Sequence, residues 1–180
     1  MYNKFEKIKV EITNTEITFP NGYFFKQSPV HKIKKIDQDQ ISEINLNTYP
    51  PSLVYNHNEI IFLRDESKDE IEIFAKNNSI LVIDRFDIWE HINRPFLDTE
   101  FEEYEKSMSI QQLEENGISK SELNQIRIKA GKTMCINFIV WEWIYLGLFD
   151  YLSWTWLYKR KYWWAMKIGL RNYKKESNIL

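Results

Sequence analysis

Polar and apolar residues alternate through the first part of the chain. Lys7-Ile8-Lys9-Val10-Glu11-Ile12 switches at every step, which predicts a strand with one wet and one buried face. Glu16-Ile17-Thr18-Phe19 keeps that period up to Pro20-Asn21-Gly22, a turn signal, and Tyr23-Phe24-Phe25 reads as the return strand of a hairpin. Ile33 to Ile36 and Ile41 to Leu46 are two further short strands. Pro50-Pro51 breaks the chain, and Glu59 to Leu63 reads as a buried strand.

The period then changes. Ser67-Lys68-Asp69-Glu70 has capping-box spacing, in which each end satisfies the other's free backbone N–H, and Ile71, Phe74 and Ala75 line one helical face until Asn77-Asn78. Ser79 to Ile83 is a short apolar strand, so residues 59–83 are expected to form a βαβ-like unit. That unit has no glycine-rich loop between strand and helix, and nothing there supports a nucleotide site.

From Asp87 onward the pattern is helical. Asp87 is placed to cap a short helix through Ile92, ended by Pro95. Asp98-Thr99 starts a second helix, with Glu100, Glu102 and Glu103 in its first turns. A third spans about Ser109 to Glu115 and stops at Asn116-Gly117. Ser119-x-x-Glu122 opens a long helix with apolar positions from Leu123 to Leu148. Gly147 and Asp150 end it and cap the next, which runs to about Tyr173 with a break near Lys161. The expected fold class is α+β: a small, mainly antiparallel sheet region over 1–85 and an aromatic-rich helical region over 86–180. With no linker between them, the two are expected to form one cooperative unit.

Six of the seven tryptophans lie between Trp141 and Trp164, a density of rings that must bury a large area against something. Charge is also segregated. Residues 87–122 carry ten acids against three bases, whereas residues 151–180 carry seven bases against one acid. These segments could face one another within the fold, or a basic C-terminal surface could meet an acidic partner or anionic lipid. The net charge of −2 argues against whole-protein attraction to nucleic acid. The start, Met1 to Glu6, lacks the apolar run of a signal peptide, so a cytoplasmic location is expected.

Little in the chain points to catalysis or metal binding. His31, His57 and His91 are scattered without ligand spacing, and no metal or cofactor is expected. Cys135 sits in an apolar run and reads as a structural thiol, and there is no G-x-S-x-G elbow. Asn137, Glu142 and Asp150 interrupt the aromatic segment. They are the candidate lining of a polar pocket; the other account puts Glu142 and Asp150 on exposed helix edges or caps. Glu142 and Asp150 also interrupt Thr133 to Tyr158, whose longest uncharged run ends at Trp141, so no membrane span is expected.

Two stretches carry a resemblance. Val82-Ile83-Asp84-Arg85-Phe86-Asp87-Ile88-Trp89 with Pro95 to Phe101, and Trp141-Glu142-Trp143-Ile144-Tyr145-Leu146-Gly147 with Asp150, resemble blocks in a family of uncharacterised bacterial proteins. The resemblance covers about residues 40–155. It implies a bacterial, self-contained domain and transfers no functional residue, because no activity is attached to that family.

These features point to a non-enzymatic protein-binding module, such as an immunity or adaptor protein, whose partner is another protein. The expected partner-binding residues are Trp154, Trp156, Lys159, Arg160, Lys161, Trp163 and Trp164, types that dominate interface hot spots or steer charged partners. The acidic stretch Asp98 to Glu115 is the natural face for a basic partner. The alternative is a peripheral membrane or anionic-ligand binder using the same basic aromatic C-terminus. A third reading is an enzyme with its site near Glu142 and Asp150.

Overall fold

The computed structural model describes residues 5, 8–94, 103–134, 147–154 and 159–173. Two three-stranded antiparallel sheets come first. β1 (Glu11–Ile12), β2 (Glu16–Thr18) and β3 (Lys35–Asp37) form one, and β4 (Ile41–Asn45), β5 (Ser52–Tyr55) and β6 (Glu59–Phe62) form the other. The helices are α1 (Val30–Ile33), α2 (Lys68–Asn77), α3 (Ile88–Asn93), α4 (Glu103–Glu115), α5 (Lys120–Met134), α6 (Leu148–Trp154) and α7 (Lys159–Gly169). A 3-10 turn, Leu170–Asn172, closes the described chain but for Tyr173. This is the α+β class the pattern predicts.

Several elements differ from expectation. The turn at Gly22 forms, with φ +86° and its N–H bonded to the Phe19 carbonyl at 2.7 Å, but it does not make a hairpin. β2 pairs instead with β1 and with β3, Ile17 opposite Ile36. Tyr23 and Phe25 are drawn into the core, where the Tyr23 hydroxyl accepts the Phe62 N–H at 2.9 Å. Burial of those rings outweighs strand pairing. Residues 30–33 wind into α1 before Lys34 turns left-handed (φ 64°), so the strand expected from Ile33 begins at Lys35. β5, the central strand of its sheet, lies in a stretch read only as a chain break.

The helical half is also cut differently. α4 is continuous from Glu103 to Glu115 with no start at Ser109; the Asp98-Thr99 start lies outside the described residues. The Ser119 cap is made, accepting the Glu122 N–H at 3.2 Å, whereas Ser67 makes no side-chain cap at α2. Lys161 lies inside α7 and breaks nothing.

The C-terminal half packs on the sheets through aromatic rings. Phe25, Phe62, Phe149 and Tyr162 pack with centroids 5.3–6.3 Å apart, joining the β6 region to α6 and α7. Met166 Sδ accepts the Ile60 N–H at 3.0 Å, which covers the β6 edge, and the Tyr162 hydroxyl donates to Glu59 Oε1 at 2.6 Å. Burial pushes the Glu59 carboxyl up from its ordinary pKa. The opposite edge of this sheet is where the candidate site lies.

Candidate docking site

After β6 the chain crosses through α2 and returns beside β4 as a short parallel segment. Ile44 donates to the Leu81 carbonyl and accepts from the Ile83 N–H, both at 2.9 Å. In that parallel pattern the N–H and C=O of Val82 face away from β4. Neither has a hydrogen-bond partner among the described residues. The apolar run Ser79 to Ile83 was expected as a strand; it makes one bridge at the sheet's margin and leaves Leu81 51% and Val82 45% exposed. The result is an open edge with apolar side chains, the arrangement soluble proteins normally blunt with charge, proline or a bulge.

Both ends of this edge are pinned. Ile80 N–H bonds the Ala75 carbonyl at 2.9 Å, and Asn45 Nδ2 bonds the Arg85 carbonyl at 2.8 Å. Arg85 reaches inward and grips Glu43 with two parallel bonds, Nε to Oε1 at 2.5 Å and Nη2 to Oε2 at 2.7 Å. The Glu43 side chain is only 5% exposed, so this is a desolvated, bidentate pair. Arg85 Nη1 also donates to the Asn172 carbonyl, Asn172 Nδ2 donates to the Phe86 carbonyl at 2.7 Å, and the guanidinium lies over the Tyr173 ring. The final turn is thereby stapled to the edge segment.

Where β4 and the edge segment leave the sheet, a cleft of about 160 Å3 opens between residues 47–49 and 84–87, closed by Glu90 and Gly147. Asp87 forms its floor and joins two helices. Its Oδ1 accepts the Trp89 N–H at 2.8 Å, capping α3, and its Oδ2 accepts the Leu148 N–H at 2.7 Å, capping α6. This approach explains Gly147, where a Cβ would stand 2.5 Å from Asp87 Oδ2. Asp150 Oδ2 accepts the Gly147 N–H at 3.3 Å, so two carboxylates converge on one turn.

Desolvation raises Asp87 to about 6 despite the helix N–H groups that oppose it. Desolvation and then the charge of Asp87 raise Asp150 to about 7. The folded state holds these protons more tightly than the unfolded chain. Their stabilising contribution is therefore complete below about pH 4 and is lost as pH rises through 7. Asp150→Asn keeps an acceptor for Gly147 and removes the like charge. It should gain about 1–3 kcal/mol at pH 8 and little at pH 4, as read by urea unfolding at the two pH values. On the acid side, burial and then the charge of Arg94 lower His91 to about 4, so its contribution is lost as pH falls from about 6.5.

The residues singled out from sequence are spread over several environments. Asn137, Glu142 and Trp156 lie outside the described residues, as does the Trp154 side chain, whose backbone ends α6. Asp150 is not in the cleft lining; it caps the turn at Gly147, one of the two roles open to it. Lys159 and Arg160 are exposed in the first turn of α7, and Lys161 is half-buried there. Trp163 packs edge-on against Tyr162 at 5.3 Å. Trp164 packs edge-on against Trp89 and Tyr151, and Lys129 Nζ sits 3.8 Å over its ring. These two tryptophans wall the core rather than project from it.

Sequence reasoning passed over Glu43, Asn45, Ser42 and the edge. A bulge between Ile41 and Glu43 turns Ser42 toward His57, with Oγ to Nδ1 at 2.9 Å. The Tyr173 hydroxyl bonds the same nitrogen. Ser42 therefore shares that nitrogen with a second hydroxyl. Among the described residues no group of three or more His, Cys, Asp or Glu could hold a metal, and no helix is long and apolar enough to cross a membrane. In comparisons with known proteins, no family model, curated protein or solved structure matches this chain.

Proposed function

We propose that this chain is a non-enzymatic protein-binding module, of the immunity or adaptor kind, that docks its partner by strand addition at Val82. The observation that carries this reading is the open, pinned edge. Its free N–H and C=O lie between exposed apolar side chains, and the bonds at Ala75, Asn45 and Glu43 fix the backbone before any partner arrives. Main-chain hydrogen bonds then supply affinity, and a pre-ordered edge avoids most of the ordering cost.

Val82→Pro tests the reading with little risk to the fold, because the Val82 N–H makes no bond that proline would remove. Octapeptides selected from a random display library on the wild-type protein should shift the amide resonances of residues 81–83. They should bind the Val82→Pro variant at least tenfold more weakly. Selected peptides that bind both proteins equally would overturn strand addition.

One observation favours a second reading, the binding of an anionic surface. Lys159, Arg160 and Lys161 occupy the first turn of α7, where the helix dipole is itself positive and the turn holds no acidic residue of its own. Cosedimentation with vesicles of anionic phospholipid at low salt would support it, and protein left wholly in the supernatant would remove it.

A further inference from the structure

We propose that the segment added at Val82 is basic, and that it seats one lysine or arginine in the cleft beyond the edge. This rests on the strand-addition reading and specifies the partner that edge would select. The cleft lining takes up the chain where the edge ends, at Asp84, next to Ile83, which makes the last bond of the bridge. Val82 and Asp84 are two residues apart, about 7 Å of extended chain, so a strand paired along 81–83 runs directly onto the cleft mouth.

The charge of the walls decides the sign of the occupant. Asp84, Asp87 and Glu90 supply three carboxyl groups. Among the described residues Arg85 is the single cationic group on the walls, and its guanidinium is already engaged by both oxygens of Glu43 and by the Asn172 carbonyl. Asp87 accepts the N–H groups of Trp89, Leu148 and Glu90, which leaves one of its four acceptor positions unspent. A cation entering here meets the remaining acceptor of Asp87 and the carboxyl groups of Asp84 and Glu90, whereas an anion would be repelled by the same groups.

The size of the cleft decides what kind of cation fits. At about 160 Å3 it falls below the roughly 300–1,000 Å3 of pockets that enclose whole small ligands, and it suits the head of a side chain delivered from outside. Phe86 on the lining supplies apolar surface for the stem of such a side chain.

Acetylated octapeptides of alternating threonine and valine provide the test, with a single lysine at one end, at the other end, or replaced by glutamine. They are titrated into the full-length protein and followed by the backbone amide resonances. A lysine peptide of the correct polarity should bind at least tenfold tighter than the glutamine peptide and shift Asp84 and Glu90 as well as Val82. The combined variant Asp84→Asn, Glu90→Gln should erase that tenfold preference while keeping the weak binding of the glutamine peptide. Raising salt should have the same effect. If lysine and glutamine peptides bind wild type equally and Val82→Pro weakens both, the cleft inference is overturned and strand addition stands. If no peptide shifts residues 81–83, or if the lysine peptide binds Val82→Pro as tightly as wild type, strand addition itself is overturned.

Discussion

Glu43→Ala is expected to lower the unfolding free energy by about 3–5 kcal/mol, the cost of leaving one partner of a buried ion pair uncompensated. Glu43 is 5% and Arg85 19% exposed at the side chain, so water can replace only part of the lost bonds. The damage also spreads. Arg85 holds the Asn172 carbonyl and packs on Tyr173, and its own carbonyl anchors Asn45. At roughly 2–4 °C per kcal/mol for a chain of this length, the melting temperature should fall by about 6–20 °C. Replacing both members with apolar residues, Glu43→Leu with Arg85→Met, should cost less than either single change, because the buried charge and its orphaned partner leave together. Urea unfolding of the two single variants and the double variant checks this. A loss below 1 kcal/mol for Glu43→Ala would mean that the pair does not pin the edge.

Trp89→Ala should cost a similar amount, about 3–5 kcal/mol, through the cavity left by a large buried ring. Trp89 is fully buried, stacks on Tyr151 with centroids 4.1 Å apart, and meets Trp164 edge-on at 5.6 Å. Its Nε1 donates to the Ala165 carbonyl at 3.0 Å, so one side chain joins α3, α6 and α7. Trp89→Phe keeps most of the ring area and loses the hydrogen bond, leaving the Ala165 carbonyl without that donor. Its cost should be nearer 1–3 kcal/mol, roughly the penalty of one unsatisfied buried group plus a small void. Chemical denaturation with near-ultraviolet circular dichroism separates the two. Equal losses for the two variants would assign the whole effect to the hydrogen bond and none to packing.

What could be read from the chain was local. The Asp87 and Ser119 caps, the stop at Gly117 and the helix over 68–77 all depend on groups within a few residues of one another, and all appear. β5 was invisible because four residues between Pro51 and Asn56 are too few to show a period. The turn at Gly22 was read correctly as a turn, but pairing of β2 with β3 is set by Ile17 and Ile36, 19 residues apart. The candidate site is less legible still. Glu43 sits where alternation predicts a wet face, and only the arrival of Arg85 and the final turn buries it. Asp150 stands out as an odd acid among rings, yet its pKa is raised by burial and then by the charge of Asp87, neither of which the local sequence shows. The apolar Ser79–Ile83 run reads only as a short strand, because apolarity cannot tell an inner strand from an edge awaiting a partner.

Amide hydrogen exchange at residues 44 and 81–83 of the free protein tests the edge most directly. Ile44 and Ile83 donate to carbonyls across the parallel bridge and should exchange slowly, while Val82 between them should exchange close to the rate of an unprotected amide. A Val82 amide as protected as that of Ile83 would show the edge already occupied within the chain itself, contradicting both the docking site and the partner proposed for it.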